Sequence, residues 1–392
     1  MNVESFSIGE LCSSVSERYT ENLPYVRLVN TSDILEGELL PLEKVKNENL
    51  KGQFKKAFKN GDILFSEIRP ANRRFAFIEN ENTKELIAST KLMVIRANKD
   101  KVIPKYLYYF LTSQNILNKL QNLAETRSGT FPQITFSGEI APISIKLPNI
   151  AEQNHIVNFI DAINSKILIN KKINKNLEAQ ANSIFFNKCI AIKSIPLNWE
   201  KGNLTDIANF TNGLAMQKFR PKKNEIGIPV LKIAELRQGR CDKNSDLCSP
   251  SIDSNYIVHD GDVIFSWSGS LIVDFWTGGK CGLNQHLFNV NSSHFEKWFY
   301  YSWTKYYLNK FISIASDKAT TMGHIKREDL TKAEVLIPSV NDYTSIGNEV
   351  SPLYELLISN RIQNRQLELL RDNLLPKIVT GQLDLSDLKI KL

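Results

Sequence analysis

The 392-residue chain is defined first by what it lacks. No uncharged apolar run approaches the roughly 20 residues of a membrane-spanning helix. The opening "MNVESFSIGE" has no basic stretch followed by an apolar one. A cytoplasmic protein without a membrane partner is expected. Cysteine is scarce: Cys12, Cys189, Cys241, Cys248 and Cys281 form no CxxC pair, and their number is odd. They read as reduced thiols. Cys241 and Cys248 have no histidine at finger spacing, so no zinc site is expected. There is no GxxxxGK[ST] phosphate loop, no GxGxxG after a strand, no HExxH and no Asn-Pro-Pro-aromatic tetrapeptide. The histidines are scattered. Asp260 and Asp262 in "HDGDVIF" resemble a metal-binding carboxylate pair, but "NGDILF" in the first half keeps only Asp62. A polar turn entering a strand explains Gly-Asp better. No catalytic residue, no metal and no cofactor bound by this chain are therefore expected.

An acidic excess is also absent. The formal net charge is +7, which suits a polyanionic partner. The basic residues gather in two loop-like runs. Residues 51–74 carry Lys51, Lys55, Lys56, Lys59, Arg69, Arg73 and Arg74 against Asp62 and Glu67. Residues 218–243 carry Lys218, Arg220, Lys222, Lys223, Lys232, Arg237, Arg240 and Lys243 against Glu225, Glu235 and Asp242.

What is present is a plan written twice. "GDILFSEIR" (61–69) matches "GDVIFSWSG" (261–269), and "KYLYYFLTSQNILNKL" (105–120) resembles "KWFYYSWTKYYLNKFI" (297–312). "IKLPNI" (145–150) lines up with "VLIPSV" (335–340), and the segment that follows repeats without gaps at an offset of 190. So long a period describes duplication of an entire domain with its helix, not a solenoid. Each half opens with short β-rich runs bounded by Gly, Asn and Pro. An aromatic helix follows (about 104–121 and 295–313), then a Ser/Thr/Gly loop, a last strand and a long helix. The predicted fold is α+β, with boundaries at 1–147, 148–191, 192–337 and 338–392. Pro196 breaks the first long helix, and Trp199 anchors the start of the second domain. The tail after Gly381 reads as weakly structured or as a short strand.

The long helices carry the oddest feature. Ile156, Ile160, Ile163, Ile167, Asn170, Asn174, Leu177, Ala181 and Ile184 step alternately by four and three, a heptad stripe. Ile346, Val350, Leu353, Leu357, Asn360, Asn364, Leu367, Arg371 and Leu374 repeat it. Only Ala181 and Arg371 differ in kind. So narrow a stripe needs a partner helix, and the chain supplies one. Antiparallel pairing about a pseudo-twofold axis would bring Asn170 and Asn174 against Asn360 and Asn364; the alternative is amides facing solvent on an irregular helix. A buried amide layer penalises every register that leaves it unpaired.

These segments resemble the specificity subunit of type I restriction–modification systems. "IPLNWEKGNLTDIANFTNG" is similar to the start of a target-recognition domain. "LPNIAEQNHIVNFIDAINSKI" resembles the central spacer helix, with its Leu-Pro-x-x-x-Glu-Gln opening at 147–153. "ELLRDNLLPKIVTGQLDL" resembles its C-terminal repeat, and "GLNQHLFNV" and "ATTMGHI" also recur in such domains. The second copy departs from this pattern, with Asp342 and Tyr343 where the first has Glu152 and Gln153, and the first domain lacks a Trp-rich opening. The resemblance implies two mixed α/β target-recognition domains separated by two long helices in an antiparallel coiled coil, a pseudo-twofold internal repeat. Each domain would read half of a split, asymmetric site on double-stranded DNA. Two modification (methyltransferase) subunits would methylate adenine using S-adenosylmethionine, and restriction (motor) subunits would use ATP and Mg. The chain itself would be non-catalytic.

Base reading needs Arg, Asn, Gln, His or Ser/Thr at groove-facing tips, with basic loops on phosphates. The expected DNA-binding residues of the first domain are Arg69, Asn72, Arg73, Arg74, Arg127, Ser128, Gly129, Thr130 and Gln133. Those of the second are Lys222, Lys223, Ser266, Ser268, Gly269, Ser270, Asn284, Gln285, His286, Lys318, Thr320, Thr321 and His324. Trp267 is ambiguous, because a Trp in a strand usually belongs to the core. A protein-binding scaffold and an enzyme with an unfamiliar centre are the competing readings. The basic Ser/Thr/Arg loops argue against the first and the missing motifs against the second.

Overall fold

The computed structural model describes residues 4–127, 131–317 and 323–379. Ser128, Gly129, Thr130, Lys318, Thr320, Thr321 and the tail after Gly381 lie outside the described residues. The chain divides into two compact units, Met1–Ser165 with Glu368–Leu392, and Lys166–Leu367. Each holds a share of both long helices, Ile150–Phe185 and Val340–Val379.

In the first unit, a four-stranded sheet runs in the order Cys12–Val15, Leu92–Ala97, Ile63–Ser66, Phe75–Phe77. All its neighbours are antiparallel. The central strand Ile63–Ser66 is buried on both faces, which its unbroken apolar run allows. A second sheet has the order Lys44–Lys46, Tyr25–Val29, Leu86–Ser89, Phe54–Lys56, with one parallel pair. Glu4–Ser7 pairs with Ser144–Leu147. One core cluster joins the strands and the aromatic helix to Ile156, Val157, Ile160, Leu375 and Ile378 from the long helices. Arg371, the odd member of its stripe, donates to Asn164 Oδ1 at 3.0 Å.

The second unit repeats this topology. Its antiparallel sheet is Asn209–Asn212, Leu287–Asn291, Val263–Ser266, Ile272–Phe275. Its other sheet is Leu247–Cys248, Ile228–Leu231, Cys281–Leu283, Ile257–Val258, again with one parallel pair. Glu200–Asn203 pairs with Glu334–Ile337. Trp199 Nε1 donates to Asp342 Oδ2 at 2.8 Å, tying the start of the domain to the first turn of the helix Val340–Val379. Gly61 and Gly261 open the two copies of the Gly-Asp turn at φ 96° and 88°. A side chain is disfavoured there.

One predicted helix is two. The first aromatic helix breaks into Pro104–Leu111 and Gln114–Arg127, whereas the second runs unbroken from Lys297 to Asp317. Thr112 and Thr304 both return their hydroxyls to carbonyls one turn back. Ser113 adds a second such bond, to Phe110 O at 2.8 Å, where the other copy has Lys305. Backbone-seeking hydroxyls compete with the helix; lysine does not.

Within the second unit the two long helices run antiparallel, and the four asparagines meet. Asn170 Nδ2 donates to Asn364 Oδ1 at 2.9 Å, and Asn360 Nδ2 donates to Asn174 Oδ1 at 3.0 Å. Asn174 also donates to Leu357 O, and Asn364 to Ile167 O. Both pairs of bonds exchange under the 190-residue offset, so this layer has local twofold symmetry. Toward the ends of the stripe Phe185, Tyr354 and Leu375 are more buried than Ile184, Leu353 and Leu374. A 3.6-residue helix drifts against a seven-residue repeat.

Candidate nucleic-acid interface

In each unit the central strand of the antiparallel sheet runs out into a short extended segment, and the two segments are held alike. In the first, Glu67 N donates to Lys91 O at 3.2 Å, Ile134 N to Glu67 O at 2.9 Å, and Arg69 N to Pro132 O at 3.1 Å. In the second, Trp267 N donates to His286 O at 3.4 Å, Ile325 N to Trp267 O at 3.1 Å, and Gly269 N to Gly323 O at 2.9 Å. Isolated antiparallel bridges pair Ile68 with Gln133 and Ser268 with His324. This frame gathers three distant stretches of each domain into one edge.

Several expected contact residues prove to be the frame. Ser266 is fully buried, and its hydroxyl donates to Ser268 O at 3.2 Å and Ser270 O at 2.9 Å. Ser66 does the same toward Ile68 O at 3.3 Å. A buried hydroxyl braced on backbone cannot meet a base, so Ser266 positions the turn. Arg74 donates to Ser32 O at 3.1 Å and Ile34 O at 2.9 Å. Its Nη1 satisfies two carbonyls of the domain itself. Asn284 is buried and accepts from His286 N at 3.2 Å. Ser268 is also buried, with its hydroxyl 3.1 Å from His286 Nδ1.

Other arginines are partly committed. Arg73 pairs with Glu36 at 3.2 Å, donates to Gln114 at 3.0 Å and lies over the Phe75 ring. Arg127 pairs with Glu139 at 2.6 Å. Against the pull of burial, hydrogen bonds from Thr135 and the Arg127 charge hold the Glu139 carboxyl below its usual range. Arg69 and Asn72 are exposed, as are Lys222 and Lys223.

Arg69 adopts φ 43°, and its counterpart Gly269 φ 65°. Left-handed backbone suits glycine and strains arginine by about 1 kcal/mol or more. The first domain keeps an arginine there all the same, with its side chain outward.

The second domain's edge is aromatic. Trp267 is half-buried, donates Nε1 to Asn212 Oδ1 at 3.0 Å and packs beside Phe288, His286 and His324. Gln285 Nε2 lies 3.3 Å from His286 Nε2. The imidazole is thus engaged at both nitrogens, by Ser268 on one side and Gln285 on the other. A cleft of 390 Å³ lined by Gly269, Ser270, Leu271, Ile312 and Gly323 opens beside this turn. Asn212 belongs to the edge with no signal in the sequence, and Trp267, ambiguous in the sequence, is half-buried there.

The carboxylates of the two Gly-Asp turns are spoken for. Asp62 and Asp262 each cap their own turn, accepting from Lys59 N and His259 N at 2.8 Å. Arg96 also grips Asp62 through two nitrogens at 2.8 and 2.7 Å. Asp260 is held by Arg365 in the same two-pronged way, at 2.7 Å twice. No group of three or more His, Cys, Asp or Glu able to hold a metal occurs among the described residues. No helix among them is long and apolar enough to cross a membrane.

Comparison with known proteins matches this architecture. The family described as type I restriction modification DNA specificity domain matches residues 2–179 and again 196–369. The type I restriction enzyme HindI specificity subunit of Haemophilus influenzae is 24% identical, across 97% of this chain and 99% of that one. The MjaIX specificity subunit of Methanocaldococcus jannaschii is 27% identical, across 74% of this chain and 71% of its own. Among solved structures, the type I restriction–modification S subunit from M. genitalium superposes with a TM-score of 0.53 at 16% identity, covering 97% and 96% of the two chains.

Proposed function

From the premise that this chain belongs to the type I restriction–modification DNA specificity family, we propose that its two domains read two unlike half-sites of one DNA sequence. The protein is a DNA-recognising specificity subunit and not itself an enzyme. The observation that carries the bipartite reading is the pair of matching edges. One backbone frame presents Glu67, Arg69 and Gln133 in one domain and Trp267, Gly269 and His324 in the other. Different side chains on one frame ask for different bases.

Arg69, Asn72, Arg73, Arg127 and Gln133 serve the first half-site in this reading. His286, Gln285, Ser270, Gly269 and His324 serve the second, with Lys222 and Lys223 on phosphates. Ser128, Gly129, Thr130, Lys318, Thr320 and Thr321 stay assigned on sequence grounds, being loop residues of DNA-contacting type. The layer of Asn170, Asn174, Asn360 and Asn364 locks the helix register. The gap between half-sites then follows helix length, so adding one heptad to both helices lengthens the gap and leaves the half-sites unchanged. As partners, the family points to two adenine-methylating modification subunits that use S-adenosylmethionine, and to ATP-dependent restriction subunits.

The test is selection from a random duplex library by the full chain co-produced with its modification subunits. Two distinct conserved words separated by a fixed gap are expected. A single word, or no preference at all, contradicts the proposal.

A further inference from the structure

Lys91 was chosen by no motif, yet the register of the two sheets singles it out. Leu92 stands opposite Ser66, and Leu287 stands opposite Ser266. The residues one step before them, Lys91 and His286, are therefore equivalent. Each carbonyl accepts from the turn, from Glu67 N in one case and Trp267 N in the other. Both residues are braced two positions back by a buried polar side chain. Lys91 N donates to Ser89 Oγ at 3.3 Å, as His286 N does to Asn284 Oδ1 at 3.2 Å.

Their surroundings differ in a telling way. His286 engages Ser268 and Gln285. Lys91 is exposed, and its ammonium makes no hydrogen bond or ion pair among the described residues. The carbonyls on either side of it are already satisfied, because Lys56 Nζ donates to Thr90 O at 3.1 Å and Leu92 O at 2.8 Å. Among the described residues nothing engages the Lys91 charge. That charge is left on the edge that carries Arg69 and Gln133.

We infer that Lys91 reads a base edge in the first half-site, as the counterpart of His286 in the second; this rests on the DNA-reading function proposed above. An ammonium only donates, so the base it selects is one that offers acceptors. In the major groove guanine presents two neighbouring acceptors, O6 and N7, where adenine and thymine present one each, so guanine is the base it favours. A lysine on phosphate would add affinity without sequence preference.

The experiment compares wild type, Lys91→Ala, Lys91→Arg and His286→Ala, each as the full chain with its modification subunits, in selection from a random duplex library. Thermal unfolding controls for folding. Lys91→Ala is expected to relax preference at one guanine of one half-site by about 5- to 150-fold. Lys91→Arg keeps that guanine. His286→Ala relaxes the other half-site alone. An unchanged motif for Lys91→Ala overturns the inference. So does uniform weakening with a shallower salt dependence, which marks a phosphate contact. A wild type that selects nothing removes the DNA reading itself, and this inference with it.

Discussion

At the edge of the first domain the outward positions hold Glu67, Arg69, Lys91 and Gln133; the same backbone positions in the second hold Trp267, Gly269, His286 and His324. Beneath them the two domains agree: Ser66 with Ser266, Asp62 with Asp262, Gly61 with Gly261. Buried polar groups that lose a partner cost about 1–3 kcal/mol each, so duplication retains them. An outward side chain answers only to its ligand. The edges have diverged toward charge in one domain and toward aromatic and imidazole groups in the other.

The agreement is not complete, and the largest expected effect lies where it breaks. Asp62 is nearly buried and held by Arg96 as well as by its own turn. The strand position of Arg96 is occupied by Asn291 in the second domain, so Asp262 has the turn alone. Asp62→Ala leaves Arg96 with Glu17 as its remaining partner and should cost about 2–3 kcal/mol. Asp262→Ala should cost about 1 kcal/mol. Urea unfolding of the two variants measures the difference; equal losses would erase the distinction.

A smaller effect depends on pH and belongs to the second unit. Arg365, gripping Asp260, holds that carboxyl below its usual range; burial works against it and Gly279 N–H assists. A depressed folded-state value means stability that is present above the unfolded value near 4. That stability is lost as pH falls through the folded one. Arg365→Ala should therefore destabilise by about 1–2 kcal/mol at neutral pH. The deficit should shrink as the pH drops below 4. The first domain has Asn60 at the position of Asp260 and should show no such contribution. A deficit independent of pH would show that Arg365 acts through packing alone.

The smallest effect sits on the edge itself. Arg69→Gly removes left-handed strain and should stabilise by up to about 1 kcal/mol, while weakening binding to the first half-site. Thermal unfolding and DNA titration of one sample read both. A variant that is less stable, or that binds as well as before, would remove the reason for an arginine at that turn.

Much of this was legible in the sequence, for physical reasons. Duplication shows in the Gly-Asp turns and the 190-residue offset because those turns allow few residues. The four asparagines show because amides interrupt a heptad stripe, and the structure brings them together as Asn170–Asn364 and Asn174–Asn360. The split of serines and arginines between frame and surface was not legible. Ser266 and Ser270 look alike in "SWSGS", and only depth in the fold separates them. Arg74 looks like Arg69 until Ser32 and Ile34 present their carbonyls to it. Lys91 carries no local signal and emerges only when the strand register gives it the position that His286 holds in the other domain.

The central claim is that one frame, carrying two different edges, reads two different words. It is tested most directly by a chain in which residues 1–147 are replaced by a second copy of 192–337, taken through the same library selection. The account predicts that both halves of the selected sequence become the word read by the second domain. Two unlike halves from that chain would contradict it.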